Sequence, residues 1–385
     1  MTDGADGGDR LADPVVPRYD TQSLGAVLPG AALALGVDTG LPAAPLPLAR
    51  RVCVVIVDGL GAQLLHQESR SAPFLASLLT GAAPITAGCP STTATSMGSF
   101  GTGLAPGRHG LVGYEVMDPD RGVLLNELKW DAAVDPLTWQ PHRTIFQTLV
   151  GRGIGVTQVG NPEFHGSGLT LAALRGGQFV GVKRLHARVD VALDLLKAPG
   201  PGLIYLYWGD VDGAGHRYGW RSREWRRQLR HADRELARLA ARLRPGTLLV
   251  ITADHGMVDV PHAGRIDLAD HPDLSDGIAV LGGEARFAQA YCRPGADSAA
   301  VQARLAAAIG DRGWVLGREQ AVAAGWFGPV EDRVRGRIGD VVVAARDSFA
   351  LVDSRTARPQ VLALIGQHGS LTAAEQQVPL LVHPG

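Results

Sequence analysis

The run Val52-Cys53-Val54-Val55-Ile56-Val57, closed by Asp58-Gly59, decides the fold. Six apolar residues without alternation leave neither face of a strand for water. That is the pattern of a central parallel strand covered on both sides. Similar runs recur at residues 154–159, 203–207, 248–252 and 379–382, with helical stretches between several of them. The plainest helix lies at 221–244, where Trp225, Leu229, Ala232, Leu236, Leu239 and Leu243 recur at spacings of four and three. Its other face is rich in Arg. A nucleic-acid-binding helix is one reading; a solvated face of a sheet-packing helix is preferred. The alternation predicts a doubly wound, mainly parallel α/β sheet.

Residues 266–345 break the pattern. A strand at 285–292, an amphipathic helix at 299–309 and a short strand at 314–316 read as a small inserted α+β subdomain. The catalytic α/β domain is then 51–265 plus 346–385. Ahead of it, 1–50 reads as a mobile leader (1–20) followed by a packing segment (21–50). The 385 residues carry 37 Lys+Arg against 38 Asp+Glu, a net charge of −1. Nothing therefore draws the chain toward a nucleic-acid duplex or an anionic membrane. Three cysteines, Cys53, Cys89 and Cys292, give neither a disulfide framework nor zinc-knuckle spacing. The apolar stretch 24–36 lacks a basic n-region, and no run reaches the ~18 residues of a membrane span. The expectation is a soluble cytoplasmic protein.

In open α/β sheets functional groups gather beyond the carboxyl ends of strands. Here Asp58 follows one strand; Asp210, Asp212 and His216 follow another; Asp254-His255 follow a third. His368, in Gly366-Gln367-His368-Gly369, precedes the last apolar run. A single strand-end Asp is ordinarily a helix cap, but four such places together point to a metal with N and O ligands, such as zinc. His109 and His262 lie near these motifs and are candidates for a supporting role. The hydroxyl cluster Ser91-Thr92-Thr93-Ala94-Thr95-Ser96 precedes a helix start, where free N–H groups favour a phosphate. By itself such a cluster is N-capping. Beside a metal it is a source of a nucleophile.

As a set, these pieces resemble the alkaline phosphatase superfamily, in its type I phosphodiesterase/nucleotide pyrophosphatase branch. The matching stretches are VVIVDGLG (54–61), PSTT (90–93), GTGLAPGRHGLVG (101–113), DGAGHRYG (212–219), TADHGM (252–257), GQHG (366–369) and VPLLV (378–382). The resemblance implies two zinc ions about 3.5–4 Å apart. One would be held by Asp58, Asp254, His255 and the nucleophile Thr93, the other by Asp212, His216 and His368. It implies hydrolysis of phosphate diesters or nucleotide pyrophosphates through a covalent phospho-threonine. The tandem Thr92-Thr93 leaves the register open by one.

Two departures bear on the substrate. The branch usually follows its nucleophile with x-Pro-Asn, where this chain has Ala94-Thr95-Ser96. The branch often has a phosphate-binding asparagine after the HGxV stretch, where this chain has Gly113-Tyr114-Glu115; Asn126 is the candidate replacement. The sulfatase pattern Cys/Ser-x-Pro-x-Arg does not fit Cys89-Pro90-Ser91-Thr92-Thr93. No cation stands near Thr93 in sequence, which favours a singly charged diester over a monoester, unless Arg108, Arg333, Arg335 or Arg337 folds in. The expected partner is a small phosphate ester, a nucleotide among them. The alternatives are a phosphomonoesterase or phosphonate hydrolase on the same scaffold, and a non-catalytic binding protein.

Overall fold

A computed structural model describes residues 13–19, 22–79, 81 and 83–385. Six strands form the central sheet in the order Leu380–Pro384, Thr247–Thr252, Arg51–Val57, Gly202–Trp208, Gly155–Gly160 and Gln178–Gly181. The last five are parallel; Leu380–Pro384 runs antiparallel along Thr247–Thr252. The expected doubly wound α/β fold is the one formed, with this one antiparallel edge. Val52–Val57 are fully buried, as an unalternating apolar strand must be. Helices Val27–Ala34, Thr93–Thr102, Ile145–Gly151 and Gly168–Ala173 pack together in one layer. Pro73–Leu78, Leu185–Leu195 and Arg223–Ala240 form another. In Arg223–Ala240 the buried stripe includes Trp225, Leu229, Ala232, Leu236 and Leu239, and Arg223, Arg227, Arg230 and Arg234 face water.

A second, antiparallel sheet has the order Ile278–Glu284, Phe287–Cys292, Val341–Ala345 and Gly313–Gly317. Its two faces serve different cores. Val341, Val343 and Ala345 join Leu305 and Ile309 of helix Ser298–Ile309, whereas Val342, Ala344 and Phe287 join the main core. The alternation is the period of two of a strand covered on both sides.

The expectation of a mobile leader needs correction where it can be seen. Val15 N donates to Leu371 O at 2.8 Å. The Tyr19 hydroxyl donates to Trp326 O and accepts from Cys89 N at 3.2 Å. Residues 13–19 therefore lie on the fold; the reading of 1–12 falls outside the described residues.

Candidate metal centre and nucleophile

The sheet register brings the acidic strand ends together. Val57 pairs with Trp208, and Ile56 with Thr252, so Asp58, the helix Asp210–Tyr218 and Asp254-His255 emerge at one rim. Gly59 has φ +73°, and a Cβ there would stand 3.0 Å from Asp212 Cβ. Only glycine combines that backbone with so close an approach of two acidic loops. Asp212 and His216 share one helix face at i, i+4. His368 follows the short strand Gly366–Gln367, which pairs with Val258–Asp259 just beyond His255. Thr93 opens the helix Thr93–Thr102, with Thr92 as its N-cap.

All seven candidate ligands converge. His255 Nε2 lies 3.3 Å from Asp58 Oδ1, 3.5 Å from Asp254 Oδ2 and 3.3 Å from Thr93 Oγ1. His216 Nε2 lies 3.3 Å from both Asp212 Oδ2 and His368 Nε2. Atoms of Asp58, Asp254 and His255, and of Asp212, His255 and His368, each gather within 4.8 Å. Asp210 stays exposed outside the cluster.

The protons decide what this cluster is for. His216 Nδ1 faces Gly366 O at 2.7 Å, His255 Nδ1 faces Gly256 O at 2.9 Å, and His368 Nδ1 faces Ser91 O at 2.9 Å. A carbonyl only accepts, so each Nδ1 carries the hydrogen and each Nε2 presents a lone pair inward. Those lone pairs face carboxylates and one another. Asp58 Oδ1, Asp212 Oδ1 and Asp254 Oδ2 are buried with no hydrogen-bond partner. Acceptors facing acceptors in a buried site are costly unless a cation lies among them. Burial, together with Asp254 and Asp212, holds the Asp58 carboxyl well above its ordinary range. Burial raises Asp254 likewise and lifts Asp212 to about 6. It pushes His255 down to about 3 and His368 well below the usual histidine value. Neutral imidazoles and clustered carboxylates fit a borderline divalent metal.

Sequence reasoning missed Tyr207. It lies on the central strand Gly202–Trp208, where its aromatic ring reads only as core, yet its hydroxyl donates to Asp58 Oδ2. The cluster opens into a cavity of about 890 Å³, whose lining includes Thr93, Tyr114, Phe164, Phe179, Lys129 and Arg358. The latter two are the cations that line it among the described residues.

Several expected helpers are employed elsewhere. Asn126 Nδ2 donates to Glu115 and its Oδ1 caps Leu128 N and Lys129 N, so the amide is spent on a turn. His109 is buried behind the Thr93 helix, with Nε2 3.0 Å from Ser99 Oγ. His262 sits exposed in a separate turn. Arg108 lies 3.8 Å from Glu331, and Arg335 pairs with Glu319. Arg333 donates to Trp139 O and Arg337 to Gly110 O, each at 2.9 Å.

This sheet order and this rim define an alkaline-phosphatase-like α/β protein. The profile described as "Type I phosphodiesterase / nucleotide pyrophosphatase" matches residues 52–371, and the chain belongs to that family. Among curated relatives, ectonucleotide pyrophosphatase/phosphodiesterase family member 7 of Rattus norvegicus is 29% identical over 108 residues, 26% of this chain and 25% of the relative. The match thus spans about a quarter of that relative's length. Murine ectonucleotide pyrophosphatase/phosphodiesterase 5, an inactive threonine-to-alanine form in complex with AMP, has a TM-score of 0.70 at 19% identity, covering 87% of this chain and 88% of that one. Phosphonoacetate hydrolase from Sinorhizobium meliloti 1021 in complex with phosphonoacetate has a TM-score of 0.66 at 23% identity, covering 88% and 91%.

Proposed function

We propose that the protein is a metal-dependent hydrolase of phosphate diesters or nucleotide pyrophosphates, acting through a covalent phospho-threonine on Thr93. One observation carries the reading: three imidazole lone pairs and three carboxylates converge beside the Thr93 hydroxyl, with Asp58 Oδ1, Asp212 Oδ1 and Asp254 Oδ2 left without a hydrogen-bond partner. Asp58, Asp254, His255 and Thr93 would hold one zinc ion; Asp212, His216 and His368 would hold the other. Bound there, the two ions would supply Lewis acidity at the phosphoryl and leaving-group oxygens and lower the pKa of oxygens they contact.

The chain's own residues do the rest. Thr93 Oγ1 releases its proton to solvent and attacks phosphorus, and the bond to the leaving oxygen, which leaves as the alcohol or phosphate, breaks as the new O–P bond forms. Water then cleaves the phospho-threonine, its hydroxyl passing to phosphorus and its proton to Thr93 Oγ1. The first N–H groups of helix Thr93–Thr102 have no partner within the helix, so they are free to donate to equatorial phosphate oxygens. Tyr207 orients Asp58 through its hydroxyl. Arg108, Arg333, Arg335 and Arg337 are engaged elsewhere, so none of these four guanidiniums stands beside Thr93 as a doubly charged monoester favours, which supports a diester. Lys129 and Arg358 are the cations on the cavity wall among the described residues. Phe164 and Phe179 on the cavity wall, and the AMP bound to the murine neighbour, support a nucleotide among the substrates.

No helix of the described residues is long and apolar enough to cross a membrane. Three free cysteines support a reducing, cytoplasmic setting.

The test is kcat/KM for bis-p-nitrophenyl phosphate, p-nitrophenyl phosphate, a p-nitrophenyl nucleotide ester and phosphonoacetate, in one buffer with added zinc. Diester preference is expected. A clear monoester or phosphonate advantage moves the assignment to that alternative, and no turnover with no bound metal leaves a binding protein.

A further inference from the structure

We infer that the buried ion pair Arg286–Glu375 is the positioning device by which the second sheet holds Thr93, His255 and His368 in place. The inference rests on the reading of those three residues given above.

Arg286 and Glu375 are both completely buried. Arg286 closes the turn between strands Ile278–Glu284 and Phe287–Cys292. Its guanidinium grips Glu375 with two bonds, Nε to Oε1 at 3.0 Å and Nη2 to Oε2 at 2.6 Å. Nη1 also donates to Asp347 O and Phe349 O, at 2.7 and 2.6 Å. A planar fork of five donors fills this site in a way that Lys could not.

Glu375 passes the constraint on. Its Oε1 accepts from Ser370 N at 3.0 Å, and its Oε2 accepts from the Thr372 hydroxyl. These bonds shape the turn after His368. Ser370 O accepts from Ser91 Oγ at 2.8 Å, and Gly369 O accepts from Ser91 N at 2.9 Å. Ser91 O in turn fixes the His368 ring, two residues before Thr93. The backbone carbonyl of Glu375 accepts from Gly256 N at 2.8 Å, directly after His255. A Cβ on Gly256 would stand 1.9 Å from Ala374 O, so these two loops touch backbone to backbone. Thus Glu375 holds the turn after His368 with its carboxylate and the segment after His255 with its backbone carbonyl, and that turn also holds Ser91, two residues before Thr93.

A core pair with a merely structural role could be replaced by uncharged groups with little loss of fold. A positioning pair could not be replaced without loosening the loops. The test uses Arg286→Met/Glu375→Gln, which removes both charges and leaves an amide unable to accept from both Ser370 N and Thr372. Three readouts are taken on the full chain: melting temperature, amide exchange of 88–93, 254–257 and 366–376 in the chelator-treated protein, and zinc affinity by competition with a chelating dye. The expected result is a melt lowered by the carbonyls of Asp347 and Phe349 that Met leaves without a donor, exchange in those segments accelerated at least 10-fold more than in the central strands, and zinc bound 10–100-fold more weakly, the usual cost of losing a group that orients a ligand. Arg286→Lys should fall short of restoring them. Should the double variant fail to fold, Thr372→Val, which removes one exposed-side donor to Glu375, is read by the same exchange and zinc measurements, with a smaller change in the same direction. Parental exchange and zinc affinity in the folded variant would overturn the inference. If the parent binds no zinc, the metal reading fails separately, and amide exchange alone decides the positioning.

Discussion

Replacing Asp212 by Asn should stabilise the protein in chelator and weaken it in zinc. Burial lifts Asp212 from its usual carboxylate value of 3.8 to about 6. A folded value above the unfolded one means that stability is fully present below the unfolded pKa. It is lost as pH rises through the folded pKa. A shift of roughly two units corresponds to about 3 kcal/mol lost by pH 8. For a chain of this size that is roughly 4 °C in melting temperature. Asn carries no charge and offers an N–H to the inward lone pair of His216 Nε2, which lies 3.3 Å from Asp212 Oδ2. In EDTA at pH 8, Asp212→Asn should therefore melt about 4 °C above the parent. At pH 4.5 the difference should shrink to about a third of that, because 4.5 still lies above the unfolded carboxylate value. With zinc at pH 8 the order should invert, because the parent alone keeps the full ligand set. Thermal scans across pH, with and without EDTA, measure this. A variant less stable than the parent in EDTA at pH 8, or a difference that does not shrink on acidification, would refute the account of an unpaired buried carboxylate.

Thr93→Ala should cost at least about 10³-fold in kcat while zinc content stays near parental, measured by steady-state kinetics and elemental analysis, since the hydroxyl is one of several ligands. Thr92→Ala should be mild; if it is the dead variant, the register is wrong by one. Tyr207→Phe removes the donor to Asp58 and should weaken zinc roughly 10-fold by dye competition. Gly101→Ala would set a Cβ 1.8 Å from Ala173 O inside the nucleophile helix, and should lower stability by about 1–3 kcal/mol in denaturant titrations.

The site was legible where chemistry and strand ends coincide. Asp58, Asp254 and His255 follow unbroken apolar runs, and Asp212 and His216 sit one helical turn apart. Such signals survive without knowledge of tertiary contacts. Tyr207 was hidden because a strand aromatic reads as core, and here it does both jobs. Asn126 misled because an amide near a motif says nothing of its direction; the turn at 126–129 had already claimed it. The antiparallel direction of Leu380–Pro384 was equally invisible, since an apolar run carries no sign of its sense along the sheet. Arg286 and Glu375 stand in no motif of the sequence, and only pairing across 89 residues makes their burial tolerable.

The span of the chain that the site gathers has a consequence for when it exists. Ser91 and His368 meet across 277 residues, Thr93 and His255 across 162, Asp58 and Tyr207 across 149. Such distant closures are paid in chain entropy and come late in folding. The Ser91 carbonyl, 277 residues before His368, has no imidazole to receive until that later segment has folded onto the sheet. A nascent or clipped chain would carry the Thr93 hydroxyl without the assembled cluster around it. A metal ion seated across these segments would tie the most distant closures of the chain together, so that losing it would loosen the rim while the central sheet stayed folded.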